Sequence, residues 1–157
     1  MMKETFRKKT TVYPATPSID DEHRAVIQSN SPVKAEQFIR KYCEKVNNLA
    51  VNNVYFFHYD AKLKEKLTEW DYNPCSFIKE TTHGIDGTNY RGINIHFING
   101  KYNRLNALYG NNLQYADYER SIKEYIPARA TEIYLVPKKF YDVVCLTRGK
   151  IKHRKRI

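Results

Sequence analysis

The chain of 157 residues has three cysteines, Cys43, Cys75 and Cys145, widely separated. No CxxC pair occurs, and no histidine stands at zinc-ligand spacing from a cysteine. A disulfide framework and a zinc module are therefore not indicated, and scattered thiols in odd number fit reduced, mostly buried side chains in a cytosolic setting. No apolar run approaches the length of a membrane span. The basic N-terminus is not followed by the apolar stretch of a signal peptide. Gly-x-Ser-x-Gly, a P-loop and a helix-opening GxGxxG are all missing, which removes the commonest hydrolase and nucleotide-binding signatures. Gly84 and Gly87 precede a strand pattern and fit a hairpin turn better than a phosphate loop. Internal repeats and low-complexity tracts are absent too, and no cofactor or metal is expected.

Aromatic residues and positive charge are present in quantity. Thirteen tyrosines and seven phenylalanines can bury much surface, so the composition is that of a folded chain. The formal net charge is +10, and it is concentrated at the ends. Residues 1–9 and 148–157 hold ten of the 27 Lys and Arg but one of the 17 Asp and Glu. The body is thus nearly neutral. Lys3, Arg7, Lys8 and Lys9 at one end, with Arg148, Lys150, Lys152, Arg154, Lys155 and Arg156 at the other, form two basic arms of the kind that contact nucleic acid.

Pattern divides the chain into three parts: an extended basic arm over 1–30, one domain over 31–147 and a basic tail over 148–157. Pro14 and Pro17 break the arm into extended pieces. Ser31 and Pro32 read as an N-cap and first helical position. Phe38, Ile39, Tyr42, Val46 and Leu49 then lie on one face of a helix ending near 46–48. "NVYFFHY" (53–59), "CSFIKE" (75–80), "YRGINIHFI" (90–98), "TEIYLV" (131–136) and "YDVVCL" (141–146) read as strands, with an Asp-Gly hairpin between the second and third. Helices are expected over 101–110, capped by Gly110, and over 115–126. The expectation is an α+β fold: a small bent antiparallel sheet or partial barrel of about five strands with helices packed outside.

Chemistry is sparse. His58 and His96 are the histidines on strand patterns, and Asp60, Asp71 and Asp86 are acids that can accompany them in a metal or acid–base site. A strand histidine flanked by aromatics more often packs its ring and makes one hydrogen bond, and the spacing is not a zinc signature. The acids among the lysines of 60–80 read as solvated pairs rather than a nuclease cluster. Tyr55, Phe57 and Tyr59 share one face and can stack bases, but no basic residue alternates with them, so an aromatic core is the simpler reading.

"YFFHYDAKLKEKLTEWDYNP", "YRGINIHFI" and "RLNAL" together resemble a family of small tailed-phage virion proteins with a Tyr-Phe-Phe-x-Tyr-Asp-x-Lys … Gly-x-Asn-x-His signature. Some of its members are called DNA end protectors. Tyr55, Phe57, Tyr59, Asp60, Lys62, Leu67, Asp71 and Pro74 look like its first segment, Gly92, Asn94 and His96 its second, and Tyr125 and Arg129 its later one. The likeness spans roughly residues 33–146. Ala61 stands where proline is usual, "TEW" where Leu-Pro-Tyr is, and Phe97 where tyrosine is. The resemblance implies a virion location, with host cytoplasm during assembly, and partners among other virion proteins and phage DNA, with no membrane. It brings no catalytic residue. On this reading Asp60, Asp71, Gly92, Asn94 and His96 are structural, and Asp60 or Asp71 accepts a hydrogen bond from His96. The expected function is a non-enzymatic virion protein touching DNA through its basic ends. The alternative is a small metal-dependent nuclease built on His58, His96 and nearby Asp residues.

Overall fold

A computed structural model describes residues 18–61, 67, 69–85, 87–109 and 119–153. The fold is α+β. Helices α1 (Ile19–Ser29) and α2 (Pro32–Tyr42) lead into strands β1 (Glu44–Val46), β2 (Val54–Tyr59), β3 (Glu69–Asp71), β4 (Cys75–Gly84) and β5 (Gly87–Asn94). Helix α3 (Lys101–Tyr109), β6 (Ile122–Tyr125), β7 (Ala130–Val136), α4 (Tyr141–Val144) and β8 (Ile151–His153) complete it. Six strands form one open sheet in the order β1-β7-β2-β4-β5-β6, and β3 pairs with β8 in a separate two-stranded ribbon. Every pairing among the described residues is antiparallel.

Both faces of the large sheet are covered, which explains why β2 is apolar on both sides. Phe56 and Val54 face Phe38, Ile39, Phe140 and Val144 under the helices. Tyr55, Phe57 and Tyr59 enter a second cluster with Leu49, Ile78, Tyr125 and Ile133. These rings are the aromatic core expected from sequence: Tyr55, Phe57 and Tyr59 are 3%, 1% and 7% exposed, which leaves no face for a base.

The α2 start follows its local chemistry. The Ser31 hydroxyl accepts from the Lys34 amide at 3.2 Å, with Pro32 in the first turn. The helix stops at Tyr42 rather than near 46–48, because Glu44–Val46 pairs with Ile133–Leu135 at the sheet edge. The extended arm expected over 1–30 is corrected over its last third. Ser18 caps α1 by accepting from the Asp21 amide at 3.1 Å. His23 then docks the helix, with its Nε2 2.8 Å from Asp142 and its ring against Phe38 and Phe140. Residues 1–17, with Lys3, Arg7, Lys8 and Lys9, lie outside the described residues.

Two further assignments are reversed. "YDVVCL" is not a strand: it holds the short helix α4, which buries the adjacent Val143 and Val144 together. Periodicity does not separate short apolar runs of the two kinds. The helical spacing over 115–126 is overridden at its C-terminal end, where Ile122–Tyr125 pairs with Tyr90–Ile93. Residues 110–118, including the expected Gly110 cap, are outside the described residues. The Asp-Gly hairpin stands: β4 and β5 pair up to Gly84 opposite Gly87.

Candidate functional site

The third strand expected over 90–98 ends at Asn94, and Ile95–Phe97 form one turn of 3-10 helix. Asn94 causes this. Its Oδ1 accepts from the His96 amide at 3.1 Å, a local bond that competes with the ladder. Asn94 and His96 therefore do not alternate along a strand as the sequence suggested, yet both turn into the same buried cluster. Gly92 sits where β4 approaches closely: a Cβ there would stand 2.7 Å from the Phe77 carbonyl oxygen.

Asp71, at the end of β3, is the centre of the cluster. Its Oδ2 accepts from His96 Nδ1 at 2.6 Å and Asn94 Nδ2 at 3.0 Å. Its Oδ1 accepts from the backbone amides of Asn73 at 2.9 Å and Lys150 at 2.8 Å. On the far side of the ring, His96 Nε2 lies 2.7 Å from Thr147 Oγ1, whose own hydroxyl donates to the Val144 carbonyl at 2.6 Å. Both imidazole nitrogens thus stand within hydrogen-bond reach of an oxygen, which fixes the ring from both sides. The His96 and Asp71 side chains are 0% and 2% exposed. Burial alone pushes the Asp71 carboxyl up, but the hydrogen bonds from His96, Asn94 and Lys150 outweigh it and hold it below the usual range.

Carboxylate, imidazole and hydroxyl stand here in the order of a nucleophilic triad. Thr147 is fully buried, its proton is committed to Val144, and the carboxylate already accepts four hydrogen bonds. The cluster ties together β3, the end of β5, the segment after α4 and the start of the basic tail.

The remaining residues singled out in the sequence fall elsewhere. His58 Nδ1 lies 3.2 Å from Asn73 Oδ1, and its ring stacks on Tyr72, so it does not share a partner with His96. Asp60 is on the surface beside Arg129, with 3.8 Å between the charged atoms, so it is Asp71 that meets His96. Asp86 is outside the described residues. Glu80 pairs with Arg91 at 3.5 Å on the surface, as a solvated pair does. The solvated reading fails for Glu69, gripped by Arg120 through two bonds of 2.8 Å with its side chain only 16% exposed, and for the buried Asp71. Among the described residues, no three His, Cys, Asp or Glu side chains converge as a set able to hold a metal ion.

The basic tail is the largest revision. Gly149 adopts φ +66 and lies directly over the His96–Asp71 pair, where a Cβ would stand 2.5 Å from Asp71 Oδ1. Beyond it the chain forms β8, with Ile151 opposite Asp71 and Lys152 opposite Trp70. Arg148, Lys150 and Lys152 are exposed on this ordered segment, while Arg154, Lys155 and Arg156 lie outside the described residues. Thr147 and Gly149 were missed in the sequence. A lone glycine inside a run of cations was the available signal.

Beside the cluster lies a cavity of about 410 Å³, walled by Tyr59, Phe97 and Tyr125 with Asn94 and Lys123 at its edge. Lys123 Nζ sits 4.1 Å from the Phe97 ring centroid, and burial lowers the pKa of its amine. No protein-family model matches the chain, and neither a curated protein nor a solved structure does.

Proposed function

We propose that this protein is a non-enzymatic structural protein of a tailed-phage virion, docking on other virion proteins and holding DNA through its basic ends without reading sequence. One observation carries the reading. The basic C-terminal segment is anchored to a buried polar cluster of the domain, so that Lys150 and Lys152 project from a fixed segment leading into β8. Cations held this way meet phosphates at lower ordering cost than a loose tail, and phosphate contacts give affinity without base selection. The saturation of Asp71 and the burial of Thr147 support a structural role for the residues that resemble the family signature. No helix among the described residues is long and apolar enough to cross a membrane.

Removing the tail is a poor test, because deletion after Thr147 also removes Gly149 and Lys150 from the buried cluster. The clean perturbation is charge neutralisation: Arg148, Lys150, Lys152, Arg154, Lys155 and Arg156 changed together to Gln. Binding to duplex DNA should weaken alike for all sequences. The slope of log K against log[salt] should fall in magnitude by about 4–5, for roughly five phosphates released at 0.9 each. Unchanged affinity and slope would remove DNA from the reading. Cleavage of linear DNA with Mg²⁺ or Mn²⁺, lost in a folded His96→Ala variant, would replace it with the nuclease alternative.

A further inference from the structure

We propose that the outer face of the β3–β8 ribbon is a stacking platform for the unpaired bases of single-stranded DNA, formed by Trp70 and Tyr72 and flanked by Lys150 and Lys152. The inference rests on the DNA-binding reading above and names the form of DNA and the residues that meet it.

Register places these four side chains together. Trp70 is paired with Lys152 and Asp71 with Ile151, and the Tyr72 amide donates to the Lys150 carbonyl at 3.0 Å. Tyr72 therefore stands opposite Lys150. Side chains two apart on a strand share a face, so Trp70 and Tyr72 lie on one side with Lys150 and Lys152, while Asp71 and Ile151 turn the other way. Asp71 demonstrably faces the core, which fixes the other face as outward. The two rings are half-buried and the two lysines exposed. Trp70 meets Tyr72 edge-on, with ring centroids 6.4 Å apart, and Tyr72 lies nearly parallel to His58, at 8° and 6.1 Å. The rings are thus already oriented.

Charge and chemistry choose the occupant. Among the described residues, neither Lys150 nor Lys152 has a carboxylate partner, whereas Lys41, Arg40, Arg91 and Arg120 all do. Two unneutralised ammonium groups beside two aromatic rings make the combination that tracks a phosphodiester backbone while bases stack. A duplex keeps its base faces inside its own stack, so the rings add nothing for it. The indole N–H of Trp70 is buried without a hydrogen-bond partner.

Trp70 is the single tryptophan of the chain, so its fluorescence reports the surroundings of this one side chain, which also borders the cavity beside Tyr59 and Phe97. The full chain is titrated with an oligothymidylate of about 15 nucleotides, and separately with a duplex of equal length. Saturable quenching by the single strand is expected, with the duplex leaving the emission unchanged. Tyr72→Leu, which keeps the reporter, should weaken single-strand binding about tenfold or more while duplex binding stays the same. Lys150→Gln with Lys152→Gln should lower the single-strand salt slope by about 1.4, from two phosphates at 0.7 each. These two lysines are exposed, so the double variant tests the site even if Tyr72→Leu does not fold. Duplex binding through the tail with no Trp70 response to the single strand would overturn this inference and leave the DNA-binding reading standing. Binding to neither would overturn both, and a response to oligouridylate but not to oligothymidylate would overturn the assignment to DNA.

Discussion

Gly149→Ala should be among the most damaging single-methyl additions in the protein. The backbone there has φ +66, a conformation that costs alanine about 1–2 kcal/mol. The new Cβ would also stand 2.5 and 2.6 Å from the two Asp71 carboxylate oxygens, and in contact with His96 Nδ1. Neither neighbour can retreat without loss, since the carboxylate holds four hydrogen bonds and the ring two. Overpacking of this kind costs about 1–3 kcal/mol. The total of about 2–5 kcal/mol corresponds to a fall in Tm of roughly 4–20 °C for a chain of this size. Two glycines separate strain from collision. Gly100 has φ +89 with nothing nearer a built Cβ than 3.7 Å, and Gly87 has φ +130 with nothing within 4 Å. Their alanine variants carry the backbone cost alone. Thermal melts and urea titrations of the three variants, side by side, give the answer. If Gly149→Ala melts with the other two, the tail does not cross the His96–Asp71 pair, and the anchoring argument fails.

His96→Ala should cost about 3–5 kcal/mol in urea unfolding, because it leaves the buried Asp71 charge without its shortest partner; a loss under 1 kcal/mol would mean that the pair is not what holds the tail. Asp71 makes stability acid-sensitive in a defined direction. Its folded pKa lies below the unfolded value of 3.8, so its contribution is complete above that pH and disappears as pH falls through the lower folded value. Urea titrations between pH 2 and pH 6 should show wild-type stability falling more steeply at the acid end than that of Asp71→Asn, and parallel curves would refute this. The three thiols should resist a thiol reagent at pH 8, since burial pushes Cys43 and Cys145 up to about 12 and Cys75 higher than its ordinary value as well. Labelling should follow global unfolding in urea, and rapid native-state labelling would contradict their burial.

Local rules made much of the architecture legible. Ser31–Pro32 marked a helix start, the β-branched and aromatic run at 54–59 a strand, and Asp-Gly a hairpin, because each is decided within a few residues. Failures came where a distant partner decided the outcome. Ile122–Tyr125 has helical spacing but completes the sheet against β5, and Val143–Val144 has strand composition but fills a gap beside α2 as a helix. The cluster was half legible. Asn94 and His96 stood out as polar residues in an apolar run, and a bond to His96 was expected from Asp60 or Asp71, of which Asp71 makes it. Asp71 itself had the look of a solvated acid among lysines. Thr147 and Gly149 were hidden, because a lone glycine in a run of cations marks a special backbone position without saying which buried groups it lies over.

The alternation of the β3–β8 ribbon couples stability to presentation. Asp71 turns into the buried cluster while Lys150 and Lys152 are exposed beside the half-buried Trp70 and Tyr72, so one register serves the buried cluster and the exposed lysines together. A one-residue slip would carry the carboxylate away from His96 and the lysines into the core, which makes the inner face the determinant of the outer one. The buried pair is therefore doing more than filling the core. It selects the single pairing in which the basic segment is displayed, at the cost of desolvating a carboxylate and an imidazole that hydrogen bonds then compensate. A hydrophobic replacement of Asp71 and His96 could recover the stability, but it would not recover the bond that the Lys150 amide donates to Asp71. Stability and single-strand binding should therefore separate in such a variant, with the fold retained and the platform lost.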